Sequence, residues 1–296
     1  MTMGRKTSKK RIKHRTTQKK EYCAPSSDKN SSATTCYTEK KLQKMRSYWN
    51  KRHPDAVIKS RNPKLIWKEL KKNMSGVCNT ERCWLKQKFI SESGDNELLN
   101  YTFVPETPSA WKKNPNEWLT SVDIENVMKQ YEHAYPCFQF LGPSPIDFDK
   151  VKSNKQCVWD ELCNFHINKY LRKGCHKIGI IFNTDPHYLD GSHWISLFID
   201  IKNKYIYFFD SVGDDVPDEI ELLMDRIISQ CEKLNINLKK HINTVKHQRL
   251  NTECGMYSLY FIINAIKDKS PIKLLDSRIS DAEMERFRGV YFNPNQ

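Results

Sequence analysis

The chain has 296 residues, with 49 Lys+Arg against 35 Asp+Glu and 38% hydrophobic residues. That length suits one large domain, or a domain with an extension. No run of about 18 apolar residues occurs, so no membrane span is expected, and no apolar segment follows the N-terminal charges, so no secretory signal is expected.

The basic excess is uneven. Residues 1–72 hold 22 basic and 5 acidic side chains, and the remainder holds 27 and 30. Residues 1–20 carry nine Lys/Arg and no acid. Such a block repels itself, stays unfolded, and commonly binds nucleic acid or serves as an address. A flexible basic tail is expected over 1–40, a helical extension over 41–100, and the main domain over 101–296. Within the extension, KKLQKMRSYWNKR, PKLIWKELKKNM and TERCWLKQKFI read as helices, the second opening on a proline suited to a first turn. Leu65, Ile66, Leu70 and Met74 recur at helical spacing and predict a packing face.

From about residue 100 prolines punctuate loops around one helix, SVDIENVMKQYEHAY. A helix over 156–171 and a strand, KIGIIFN (177–183), follow. WISLFID (194–200) and YIYFF (205–209) read as adjacent antiparallel strands joined by a turn. An amphipathic helix (217–234), a short strand HINTVKH, an apolar helix from Cys254 and a polar C-terminal segment complete the chain. The pattern predicts an α+β fold with a central mixed sheet flanked by helices. Ten cysteines without a signal segment argue for a reducing compartment and free thiols. Neither Cys78/Cys83 nor the crowded Cys157, Cys163, His166, Cys175 and His176 shows paired zinc-ligand spacing. No metal or cofactor is expected.

Four residues carry chemistry. Cys254 precedes an apolar helical run, where unpaired N–H groups favour a thiolate. His193 stands before one hairpin strand and Asp210 after the other, so the two should meet. An imidazole can take a thiol proton and return it to a leaving amine, and a carboxylate can hold that imidazole in one tautomer. Gln248 offers a side-chain N–H to an oxyanion, with the Cys254 backbone N–H as second donor.

This layout, His-Trp, Asp after a strand, then Gln, four residues and Glu-Cys-Gly, resembles the cysteine peptidases that include the adenovirus protease and the SUMO-deconjugating proteases. The resemblance implies that His193 is the general base, Asp210 its orienter, Gln248 the oxyanion donor and Cys254 the nucleophile. It also implies that Trp194 helps wall a narrow substrate groove, beside Trp118 and Leu119. Thr120-Ser121 stand where the SUMO proteases carry Asn-Asp, a departure that argues against a SUMO-like substrate. The runs FNTDPHYLDGSHW, PSAWKKNPNEWL, FLGPSPIDFD and DAEMERFRGVYFNP resemble the maturation proteases of large nucleocytoplasmic DNA viruses. That branch implies cleavage of viral capsid or core polyproteins at Gly-Gly-type sites, in the virion and host cytoplasm. Two alternatives stay open: a deconjugating protease for a ubiquitin-like modifier, and a nucleic-acid-binding packaging protein on a peptidase scaffold, with DNA held by the basic N-terminal residues. The oligomeric state is open.

Overall fold

In the computed structural model the described residues are 23–27, 34–267 and 276–293. The expected tail falls mostly on 1–22 and 28–33, outside the described residues. Residues 34–38 belong to the folded part: Tyr37 is 2% exposed and stacks on Trp84, and Thr38 caps the first helix by accepting from the Lys41 N–H.

The N-terminal helices are α1 (Glu39–Arg52), α2 (Pro63–Met74), α3 (Glu81–Leu85), α4 (Lys88–Ser91) and α5 (Asn96–Asn100). Asn62 caps α2 and Pro63 opens it, as a missing N–H allows at a first turn. The third expected helix is broken into α3 and α4, because Gln87 takes an extended backbone between them. These helices enclose their own core of Tyr37, Met45, Trp49, Ile66, Trp84 and Ile90. Ile66, Leu70 and Met74 are buried as expected, but Leu65 is exposed; it lies one residue off the inward stripe.

The expectation of free thiols is corrected at six positions. Cys23–Cys36, Cys78–Cys83 and Cys157–Cys163 are disulfide-bonded, and Cys137, Cys175, Cys231 and Cys254 are free. Turns bring each bonded pair's Cα atoms to 5.1–6.3 Å, a proximity that spacing in sequence does not reveal.

Five strands form one mixed sheet in sequential order: β1 (Phe138–Pro145), β2 (Lys177–Asn183), β3 (Trp194–Asp200), β4 (Tyr205–Phe209) and β5 (Lys239–Ile242). β1/β2 and β4/β5 are parallel, and β2/β3 and β3/β4 are antiparallel. β1 contradicts the reading of its prolines as loop punctuation. It is an edge strand, where a missing N–H is tolerated, and its register shifts between Leu141 and Ser144. The expected helix over 156–171 is two short ones, α7 (Asp160–Cys163) and α8 (Ile167–Leu171), parted by an extended His166. β5 ends before the expected strand does, because Asn243 turns its side chain onto the Asp210 and Val245 carbonyls.

β2 and β3 are buried almost throughout, as strands covered on both faces must be. Alternation along β3 and β4 sends Phe198, Tyr207 and Phe209 to one face and Leu197, Ile199, Ile206 and Phe208 to the other. The first face meets α6 (Ser121–Ala134), α10 (Cys254–Ile266) and α11 (Asp281–Tyr291); the second meets α9 (Asp218–Glu232). The C-terminal segment read as polar is therefore helical. Its N-cap Ser280 accepts from Glu283 N–H, and Met284 and Tyr291 reach the core. α10 is apolar on every side, so it is buried all round. The buried Lys177 ammonium binds the Ala265 and Ile266 carbonyls at its C-terminus, where the helix dipole favours a cation. Among the described residues no helix is long and apolar enough to cross a membrane.

Candidate active site

The hairpin assembles the first pair. β3 and β4 are antiparallel with Ser196 opposite Phe209, so His193 before β3 and Asp210 after β4 emerge at one end of the sheet. His193 Nε2 donates to Asp210 Oδ1 at 2.7 Å. Asp210 is 3% exposed, and the same oxygen accepts from the Val212 N–H at 3.0 Å.

Cys254 is the first residue of α10 and is buried. Its thiol neighbours the His193 imidazole closely enough to help raise it, alongside Asp210. Burial by itself would push the imidazole down. The hydrogen bonds and charges of Asp210 and Cys254 outweigh it and raise His193 to about 10. The ring is therefore a cation at neutral pH, the state that stabilises a neighbouring thiolate. Thiol, imidazole and carboxylate are brought together in that order.

Gln248 is buried beside them. Its Oε1 accepts from the Ser211 hydroxyl at 2.7 Å, and its backbone N–H donates to the Ser211 carbonyl at 2.8 Å. Its side-chain nitrogen donates to the Leu250 carbonyl, which leaves one of two amide hydrogens for a further acceptor. Asp210-Ser211 thus serves two parts at once, the first residue fixing the imidazole and the second fixing the amide.

Trp194 is buried, and its indole N–H donates to the Leu119 carbonyl at 3.0 Å. Gly255 lets both approach the Cys254 helix: a Cβ there would sit 3.2 Å from Leu119 Cβ and from Trp194 Cδ1. Trp118, Leu119 and Trp194 line a cavity of about 820 Å³ together with Pro143, His187 and Asp190.

Three contributors escaped sequence reasoning. Ser211 looked like an ordinary turn residue. Glu253 and Arg288, 35 positions apart, form a buried ion pair with Nη2 2.8 Å from Oε1. Burial pushes the Glu253 carboxyl up and Arg288 pulls against it. The only hint in the sequence is an acid placed directly before the candidate nucleophile. Among the described residues no group of three or more His, Cys, Asp or Glu side chains could hold a metal ion.

Residues 147–296 match the Ulp1 protease family, C-terminal catalytic domain. A protein of Acanthamoeba polyphaga mimivirus assigned as a thiol protease is 30% identical over 243 residues, covering 80% of this chain and 77% of that protein. The SUMO-1 cysteine protease of African swine fever virus is 25% identical over 249 residues, covering 80% and 91%. A crystal structure of the African swine fever virus protease superposes with a TM-score of 0.65 at 22% identity, over 93% of this chain and 96% of that one. That likeness shows a shared fold. The match over half the chain and the mimivirus relative together show that this chain belongs to the Ulp1 protease family and is a cysteine protease.

Proposed function

We propose that the protein is a cysteine endopeptidase that cuts viral capsid or core polyproteins at Gly-Gly-type sites during virion maturation. The observation that carries the catalytic part is the imidazole of His193, hydrogen-bonded to Asp210 and neighbouring the Cys254 thiol. In this reading the Cys254 thiolate attacks the scissile carbonyl carbon. The oxyanion is met by the remaining Gln248 amide hydrogen and the Cys254 backbone N–H. The His193 imidazolium then gives its Nδ1 proton to the leaving amine, and a thioester remains. The neutral ring next takes a proton from water, which attacks the thioester and frees the acid and the thiolate. Asp210 keeps the ring in one orientation and stabilises its charge.

Trp118, Leu119 and Trp194 line a cavity, and Leu119 and Trp194 press on Gly255 beside Cys254; walls this close would suit residues without side chains at the scissile bond, which supports the glycine preference. Action in the virion and host cytoplasm follows from the same reading. The basic N-terminal region would hold the enzyme on packaged DNA near its substrates.

The test uses a capsid-type precursor with a Gly-Gly site. C254A and H193A, both still folded by circular dichroism, should each abolish its cleavage; cleavage retained in both removes the proposal. A deconjugase for a ubiquitin-like tail is the second reading, favoured by the likeness to the SUMO-1 cysteine protease of African swine fever virus. Labelling by full-length SUMO or ubiquitin probes, with none by a short Gly-Gly peptide probe, would favour it over polyprotein processing.

A further inference from the structure

Helix α11 holds the nucleophile's loop at two points. At its start the Asp281 carboxylate accepts the Arg249 backbone N–H, with its oxygens at 3.3 and 3.2 Å, and the Tyr257 hydroxyl at 3.2 Å. Seven residues on, two helical turns and so the same face, stands Arg288. The loop gripped between them runs from the residue after Gln248 to the residue before Cys254.

Arg288 is nearly buried, and each of its three nitrogens donates a hydrogen bond. Nε lies 3.0 Å from both Glu253 oxygens, and Nη2 reaches Glu253 Oε1 at 2.8 Å and the Thr252 carbonyl at 3.1 Å. Nη1 reaches the Glu117 carbonyl at 2.8 Å and the Pro115 carbonyl at 3.3 Å. The guanidinium also lies over the Trp111 ring, 4.3 Å from its centroid.

Two consequences bear on Cys254. Glu253 occupies the N-cap position of α10, yet its side chain makes no capping bond, because Arg288 holds the carboxylate elsewhere. The first N–H groups of α10 therefore stay open to an anion. A carboxylate one residue from a thiolate would also disfavour that thiolate if left uncompensated, and Arg288 compensates it. The Pro115 and Glu117 carbonyls lead directly into Trp118-Leu119, so the same guanidinium ties the groove wall to the nucleophile's loop.

We propose that Arg288 is a positioning residue for the peptidase reaction: through Glu253 it keeps the start of the Cys254 helix free and electrostatically neutral, and through Pro115 and Glu117 it sets the groove wall. This rests on the reading of Cys254 as nucleophile. The test compares full-length R288Q, R288K and E253Q by three measurements: iodoacetamide alkylation of Cys254 against pH, with the site mapped by mass spectrometry; kcat and KM on a Gly-Gly peptide; and thermal unfolding.

R288Q should move the alkylation midpoint to higher pH and lower the neutral-pH rate roughly tenfold, as one uncompensated neighbouring charge does, and KM should rise. R288K keeps the charge but not the fork; it should restore the midpoint and leave KM raised. E253Q should not move the midpoint upward, and should spare KM. A wild-type midpoint and KM in folded R288Q overturns the inference, as does an upward shift in E253Q, which decides the matter alone if R288Q does not fold. Absence of alkylation at Cys254 in the unaltered protein would instead remove the underlying catalytic reading.

Discussion

At the residue scale the decisive contact is His193 to Asp210. The imidazole is raised to about 10 in the folded protein from an ordinary 6.5. A raised histidine stabilises the fold fully below the ordinary value and loses that contribution as pH rises through the folded one. The charged ring should therefore persist across the neutral range. D210N removes the opposing charge. Its expected outcome is an imidazole titrating lower, an alkaline limb of kcat/KM moved down in pH, and a kcat reduced roughly 10²–10⁴-fold. A pH–rate profile checks both, and an unmoved limb would show that Asp210 does not set the charge of the ring.

Elements position these residues. The hairpin's short turn forces His193 and Asp210 to one end of the sheet, and α10 lays its first residue against that end because its apolar surface packs on β3 and β4. Gly255 is the tight point of that packing. In G255A the added Cβ meets Leu119 and Trp194 at 3.2 Å, and overpacking of this kind costs about 1–3 kcal/mol. Alanine favours the helix by about 1 kcal/mol over glycine, so net stability should fall by about 2 kcal/mol or less. The displaced groove wall should nonetheless lower kcat/KM far more than that change in folded population. Thermal unfolding and peptide kinetics on the same sample separate the two, and unchanged kcat/KM would show that the wall tolerates the shift.

On the scale of the whole molecule, the N-terminal helices have their own core but are joined to the sheet-bearing part. Gln130 of α6 donates to the Asn100 and Phe103 carbonyls, and Glu106 bridges to Asn293. Where the chain is cut should therefore matter. Removing 1–22 deletes the densest basic block and no described core residue. It should weaken binding to duplex DNA, flatten its dependence on salt, and leave turnover of a free Gly-Gly peptide unchanged. Removing 1–40 also deletes Tyr37 and the Thr38 cap, and losing a buried aromatic of that size costs about 3–5 kcal/mol. A melting temperature lowered only by the longer deletion is the expected result. Reduced peptide turnover after the shorter one would give the tail a direct part in catalysis.

Much of this protein is legible from local chemistry alone. The runs 63–74, 177–183, 194–200 and 205–209 match their elements residue for residue, because apolar periodicity and turn residues act over short spans. As candidates, Cys254, His193 and Asp210 were legible because each borders such a run, whereas Gln248, in the loop between β5 and α10, was legible only from its place ahead of Cys254. Residues that work across long separations were not. Arg288 is unremarkable until folding carries it, 35 positions on, to Glu253; Ser211 is a turn residue until Gln248 arrives above it; the disulfides depend on how turns fold. β1 was hidden because its prolines are tolerated only at an edge, and which strand is the edge is a property of the assembled sheet. Backbone preference is written locally, whereas burial, pairing and charge compensation exist only once distant parts of the chain share one interior.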